Sequence, residues 1–161
     1  MHEEMPLAWG PDAPDSWGEI PIGDRKRRGN VTSDTCVIDG ELYFVRGCLD
    51  IPILQTDDHF RWLVWVSVSR KSFKQMRGLR RLIFRQRHDP IFGWLNTTLP
   101  YQESTFNLKT NLHWRGPGIR PFVELEPTDH TLAREQREGI RLERAHELAS
   151  NLLHESSGSG A

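Results

Sequence analysis

An α+β fold is what this sequence predicts, and three observations predict it. Period-2 apolar alternation fills residues 35–69 and 105–127, turn signals rich in Gly and Pro divide those runs, and helical spacing takes over in residues 71–87 and again after Thr131. Strands and helices come in blocks without βαβ alternation. The expected architecture is therefore a mostly antiparallel sheet built from two hairpins and a core strand, packed by a basic amphipathic helix and C-terminal helices. A length of 161 residues suits one domain with its own core, expected over residues 1–154.

Residues 1–30 are rich in Pro, Gly, Asp and Trp and hold no sustained period, which predicts an irregular arm pinned by Trp9 and Trp17. TCVID, Asp39-Gly40 and ELYFVRGC then read as a hairpin with a two-residue turn, which places Cys36 opposite Tyr43. Both of its faces are apolar: Cys36, Ile38, Tyr43 and Val45 on one, Val37, Leu42 and Phe44 on the other. Such a hairpin belongs near the middle of the sheet. RWLVWVSVS alternates Trp62, Val64, Val66 and Val68 against Leu63, Trp65, Ser67 and Ser69, and predicts a core strand covered on both sides.

Phe73, Met76, Leu79 and Ile83 recur at helical spacing with arginines between them, so residues 71–87 predict a basic amphipathic helix. TFNLKTNLHWR and IRPFVELEP, joined by Gly116-Pro117-Gly118, predict a second hairpin whose register follows from its side chains. With Leu112 facing Val123 and Thr110 facing Leu125 on the inner side, Asn111 faces Glu124 and Lys109 faces Glu126 on the outer. A one-residue slip would set Leu against Glu. A short helix from Thr131 to Arg137, a stop at Gly139 and a helix from Leu142 to His154 follow, and the tail over 155–161 is expected to be disordered.

Composition narrows the class. Hydrophobic residues make up 37% and charged residues 27%, and no apolar run approaches the ~18 residues of a spanning helix, so a water-soluble protein without a membrane partner is expected. The N-terminus MHEEMPLAWG lacks the basic and apolar regions of an export signal. Two cysteines, Cys36 and Cys48, sit too far apart along the first hairpin to pair, which fits free thiols in a reducing cytoplasm. Net charge is −1, yet eight of the 21 Lys and Arg residues lie between Arg70 and His88 without an acid among them. The remainder carries 13 bases against 22 acids, a balance of −9.

The segments SDTCVIDGELYFVRGCLDIPI, WLVWVSVS, FGWL, FNLKTNLH and above all RPFVELEPTDHTLAREQREGI resemble a bacterial family classed as domain of unknown function 2199, over about Met5 to His154. The resemblance implies a bacterial, uncharacterised protein and no particular activity. Family members often carry a Cys-x-x-Cys-like segment just ahead of the position of His2, which this sequence does not include, through a late annotated start or the loss of a small metal-binding knuckle, so the resemblance brings no metal site. Members are also less basic where this chain has Arg70 to His88, and have Pro where it has Thr131. The basic helix is thus expected to be particular to this protein.

Candidate chemistry concentrates on the outer face of the second hairpin. Lys109, Asn111 and His113 alternate on one strand, Glu124 and Glu126 on the other, and Asp129 and His130 follow at the strand-to-helix turn. Carboxylates at i and i+2 lie roughly 7 Å apart on one face, a spacing some inverting hydrolases use, although charges on such a face ordinarily pair across the strands. Thr128, Asp129 and His130 stand where a helix N-cap is needed; exposed helix N–H groups with His130 could equally hold an anion, with Arg46 and Lys109 as charge partners. Arg46 follows the apolar run LYFV, so it is expected to be part-buried and paired with Asp34, Asp50 or Glu124.

Familiar nucleophile, metal and nucleotide motifs are absent, so no cofactor and no metal are expected. Arg77, Arg80, Arg81 and Arg85 of the basic helix are the candidate partner surface; an acidic protein fits them better than nucleic acid, because the remaining −9 would repel a polyanion. Three functional expectations follow in order. A non-enzymatic protein-binding module of immunity or adaptor type comes first. A small-molecule or anion-binding domain, or a hydrolase-like enzyme, using Arg46, Lys109, His113, Glu124, Glu126, Asp129 and His130 comes second, and nucleic-acid binding through residues 71–87 third.

Overall fold

β-Branched and aromatic alternation does produce strands, and these strands close on themselves. The computed structural model describes residues 8–79 and 89–158. Five consecutive strands, β4 (Leu42–Pro52), β5 (His59–Val68), β6 (Ile91–Leu95), β7 (Lys109–His113) and β8 (Phe122–Leu125), pair antiparallel in succession, and β8 returns to β4 in parallel through Cys48 and Phe122. The result is a barrel of mixed strands within an α+β domain. The expected mostly antiparallel sheet of two hairpins and a core strand is thereby corrected to a closed barrel with mixed strands. Closure rests on β6, which sequence periodicity did not mark as a strand, and on a parallel contact between residues 74 positions apart.

Glycine makes the closure possible at two inward positions. A Cβ on Gly47 would lie 2.5 Å from Val123 Cγ2, and one on Gly93 would lie 2.4 Å from Val66 Cγ1. Strands bend where side chains are missing. Val45, Leu49, Ile51, Trp62, Val64, Val66, Leu95, Leu112 and Val123 fill the space between the strands. Helices close it off: α3 (Arg70–Leu79) contributes Phe73 and Met76, α4 (Thr131–Glu138) contributes Leu132 and Ala133, and α5 (Leu142–Gly158) contributes Ala145, Leu148, Ala149 and Leu152. Burying each large side chain contributes about 1.5–3 kcal/mol, so these helices are held by their apolar stripes.

Outside the barrel a second apolar cluster forms from Cys36, Ile38, Phe44, Trp65 and Ile20, with Trp17 and Val31 against it. That cluster fixes the N-terminal arm. The arm is more ordered than an irregular wrap: β1 (Ala8–Trp9) pairs parallel with β5, α1 (Asp15–Gly18) and α2 (Ile22–Arg28) follow Pro14 and Pro21, and β2 (Gly29–Val31) pairs with β3 (Thr35–Ile38). Helices of one or two turns are too short to show a period, which is why the sequence pattern missed them. Trp9 and Trp17 do pin it, Trp9 meeting Trp62 edge-on at 5.6 Å.

Register is right in the second hairpin and off by one in the first. Thr110 pairs with Leu125, Asn111 with Glu124 and Leu112 with Val123, and the Glu126 N–H donates to the Lys109 carbonyl at 3.0 Å. In the first hairpin Asp39 and Gly40 take φ of 54° and 63°, and the Glu41 N–H closes the turn on Ile38. Glu41 is then an extra residue, so Ile38 faces Leu42 and Cys36 faces Phe44 instead of Tyr43. Phe44 therefore joins Cys36 and Ile38 on the outer face, while Tyr43 and Val45 turn to the other. The basic helix is seen as α3 to Leu79; its expected continuation to residue 87 lies outside the described residues. Helix α4 stops at Gly139 (φ 84°), and α5 runs on to Gly158, four residues into the segment expected to be disordered.

Candidate functional site

The barrel's weakest seam is the one between β4 and β8. Along β4 the Arg46 N–H donates to the Asp34 carbonyl, the Cys48 N–H to the Pro121 carbonyl, and the Pro52 carbonyl accepts the Ile140 N–H, so even-numbered residues turn their peptide groups away from β5. β8 pairs with β4 at Cys48 alone, and the next chain against that edge is Ile140, bridged to Ile53. At Asp50, among the described residues, no strand pairs with β4 on this side. β8 meanwhile takes its partner from a side chain: Gln136 Nε2 donates to the Val123 carbonyl at 2.7 Å, and Gln136 Oε1 accepts the Leu125 N–H at 2.8 Å. The strands splay. Between them, over α4, opens a cleft of 480 Å³.

Its walls are apolar and its rim is charged. Pro52, Phe122, Leu125, Pro127 and Ala133 form the walls; Asp50, His59, Glu124, Gln136 and Arg137 supply polar groups. Asp50 is committed: Arg61 Nε and Nη2 donate to its two oxygens at 2.7 and 3.1 Å, and Arg115 Nη1 lies 4.0 Å away. Burial acts against the Arg61 charge, but the Asp50 bond outweighs it and raises its pKa. Glu124 is half exposed, with His113 Nε2 at 3.1 Å. Arg137, an exposed residue of the lining, donates to the Thr128 carbonyl at 3.3 Å.

Much of the cleft is built by RPFVELEPTDHTLAREQREGI, the segment on which the family resemblance rests most. The family model described as an uncharacterised protein conserved in bacteria (DUF2199) matches residues 1–140. The chain belongs to that family. No curated protein and no solved structure matches it. The DUF2199 match takes in every strand, α4 and all the residues lining the cleft, and stops short of α5.

The residues expected to act together in this DUF2199 protein lie in several places. Glu124 lines the cleft and is met at 3.1 Å by His113, which does not line it, whereas Glu126 and Lys109 line a separate groove of 170 Å³. No ion pair joins Lys109 to Glu126 among the described residues; Lys109 Nζ lies instead 5.9 Å from the centroid of the Trp94 ring. His130 is buried and caps α4, its Nδ1 accepting the Leu132 N–H at 3.0 Å while Nε2 faces the Glu103 and Ser104 carbonyls at 3.3 and 3.1 Å. A ring accepting at Nδ1 carries its proton on Nε2, so both nitrogens are occupied. Asp129 is exposed on the turn before it.

Arg46 lies four residues before Asp50 on the same outer face of β4, beneath the N-terminal arm. Its Nη2 donates to the Pro11 carbonyl at 2.9 Å, its Nη1 to the Ser33 carbonyl at 3.4 Å, and its guanidinium lies 5.6 Å over the Trp65 ring. The nearest carboxylate is Asp12 at 3.8 Å; the three expected partners are taken up elsewhere, Asp34 by Arg120, Asp50 by Arg61 and Glu124 by His113. Burial, then Arg120, pulls the Arg46 pKa down against the attraction of Asp12 and Asp34. Of the candidate partner surface, Arg77 lies 5.7 Å over the Phe73 ring. Arg80, Arg81 and Arg85 lie outside the described residues.

Sequence reasoning missed Asp50, His59, Gln136 and Arg137. They converge only because the barrel closes, and the sole local hint was Gln136, a polar residue on the helix face that meets the β8 edge. Both cysteines are free and buried. Among the described residues no group of three or more His, Cys, Asp or Glu is placed to hold a metal ion, and no helix is long and apolar enough to cross a membrane.

Proposed function

We propose that the protein is a binding domain for a small polar molecule, held in the cleft at the β4–β8 seam. The observation that carries this reading is the convergence of Asp50, His59, Glu124 and Arg137 around apolar walls in one concave space of 480 Å³. That size falls in the roughly 300–1,000 Å³ range of ligand pockets, and a few polar groups over an apolar lining is their usual chemistry. Binding is favoured over turnover because the Asp50 carboxylate already bonds to Arg61, and Glu124 and Glu126 face different depressions. The test is thermal unfolding of the full chain against amino acids, short peptides, phosphorylated metabolites and sugars. A saturable rise in midpoint for one class, lost in Glu124→Gln or Arg137→Gln, supports the reading, whereas no shift from any class sinks it.

A protein-binding role has its own observation. Phe92 and Trp94 on the outer face of β6 are 43% and 42% exposed, meet edge-to-face at 5.1 Å, and are flanked by Lys109. Exposed aromatics beside a cation are common at the centres of interfaces. Under this reading Phe92→Ser with Trp94→Ser abolishes co-purification of a partner from the native bacterium while the fold stays intact; unchanged co-purification removes it.

A further inference from the structure

We infer that the ligand of the seam cleft is a short peptide of dipeptide size, bound by its own amide against β4; this rests on the cleft being a ligand site. Three groups point to it. First, the ladder is interrupted. Peptide groups of even-numbered β4 residues face away from β5, as the Arg46, Cys48 and Pro52 bonds establish, and at Asp50 no strand among the described residues pairs with them. An unpaired rung in a β ladder is matched by another peptide amide, which can donate and accept at once.

Second, the opposite edge demonstrates the chemistry within this molecule. Val123 and Leu125 on β8 are served by the side-chain amide of Gln136, which gives one bond and takes the other. One amide completes the β8 side, and the facing rung on β4 is left for a second. Third, the cleft lining carries both signs of charge. Glu124, with its carboxylate 53% exposed, can receive an ammonium group, and Arg137 with His59 can receive a carboxylate. An amide between an ammonium and a carboxylate is a free dipeptide. Phosphorylated or purely anionic molecules match Arg137 and are repelled by Glu124.

The experiment is a titration of the ¹⁵N-labelled full chain with alanyl-alanine, its N-acetylated form, its C-terminal amide and free alanine. The expected result is a saturable shift of the Asp50 backbone and Gln136 side-chain resonances with alanyl-alanine. Blocking either terminus weakens binding at least tenfold; Glu124→Gln removes the penalty for acetylation, and Arg137→Gln removes the penalty for amidation. Equal affinity for free and blocked dipeptides overturns the inference, as does the absence of any peptide effect at Asp50. If no peptide binds but a sugar or phosphorylated metabolite shifts the same resonances, the peptide assignment falls and the cleft reading stands. If no probe of any class perturbs them, both fall.

Discussion

Gln136 stands to Val123 as a neighbouring strand would, its amide donating to the Val123 carbonyl at 2.7 Å while accepting the Leu125 N–H at 2.8 Å. Removing it leaves two peptide groups of a splayed strand to water or to nothing, and each unsatisfied buried group costs about 1–3 kcal/mol. Gln136→Ala should therefore lower stability by about 2 kcal/mol or more by denaturant unfolding. Gln136→Glu should do at least as badly near neutral pH, since a carboxylate cannot donate to Val123. A midpoint unmoved in both would mean that the β8 edge does not depend on this side chain.

Barrel closure makes a separate prediction at Gly47. Its missing side chain is the space that Val123 Cγ2 occupies, so Gly47→Ala should cost about 1–3 kcal/mol through overpacking. Shortening the opposing side chain should relieve it. In the double variant Gly47→Ala with Val123→Ala the summed single losses should be undercut by roughly 1 kcal/mol or more. Strict additivity would show that the two residues do not compete for one volume.

Trp65 and Val66 lie on opposite faces of β5, both fully buried, one in the outer cluster beneath the arm and the other inside the barrel. Truncation to Ala should cost roughly 2 to 5 kcal/mol at each site, with the larger loss at Trp65. Unfolding midpoints within error of the parent for both would remove β5 from the core.

How far the fold could be read from sequence depended on how local its causes were. β5 was legible because Trp62, Val64 and Val66 against Leu63, Trp65 and Ser67 declares two covered faces, and the second hairpin's register followed from keeping Leu112 and Glu124 apart. β6 was not, because Ile91, Gly93 and Leu95 put a glycine at the inward position where an apolar side chain would have signalled a strand. Closure itself rests on Cys48 meeting Phe122, a single parallel pairing between distant positions that no local pattern announces. The site followed the same division. Glu124 and His113 were found as neighbours on one hairpin face, but Asp50, His59 and Arg137 join Glu124 at the cleft only through that closure.

Cys36 links the outer cluster to pH. Burial pushes its thiol from about 9 up to about 12, so it should resist alkylation in the folded protein. The folded state keeps a proton that the unfolded chain releases, so this contribution to stability is complete below about pH 9 and declines as pH rises from about 9 towards about 12. Denaturant midpoints should consequently fall more steeply above pH ~9 in the parent than in Cys36→Ala. Parallel pH profiles, or rapid modification of Cys36 at neutral pH, would contradict a desolvated thiol.

Arg46 and Trp65 hold the N-terminal arm by one atom, since Arg46 Nη2 at 2.9 Å and Trp65 Nε1 at 3.0 Å both donate to the Pro11 carbonyl. The guanidinium is a costly way to make that tie: it is buried, and among the described residues its Nε has no hydrogen-bond partner and its nearest carboxylate, Asp12, is fully exposed. Replacing a buried charge by an apolar chain of similar length is often neutral or stabilising, so Arg46→Met, which keeps the stem over the Trp65 ring, should leave the global unfolding midpoint unchanged or raised. The arm should respond differently. With one of two donors gone, cleavage by a protease between Gly10 and Pro14 should quicken, and it should quicken further when Trp65→Phe removes the second donor while keeping a ring in the outer cluster. Limited proteolysis read beside global unfolding separates the two effects. A loss of about 3 kcal/mol or more in Arg46→Met, with arm cleavage only in step with global unfolding, would instead make Arg46 a structural anchor of the barrel wall.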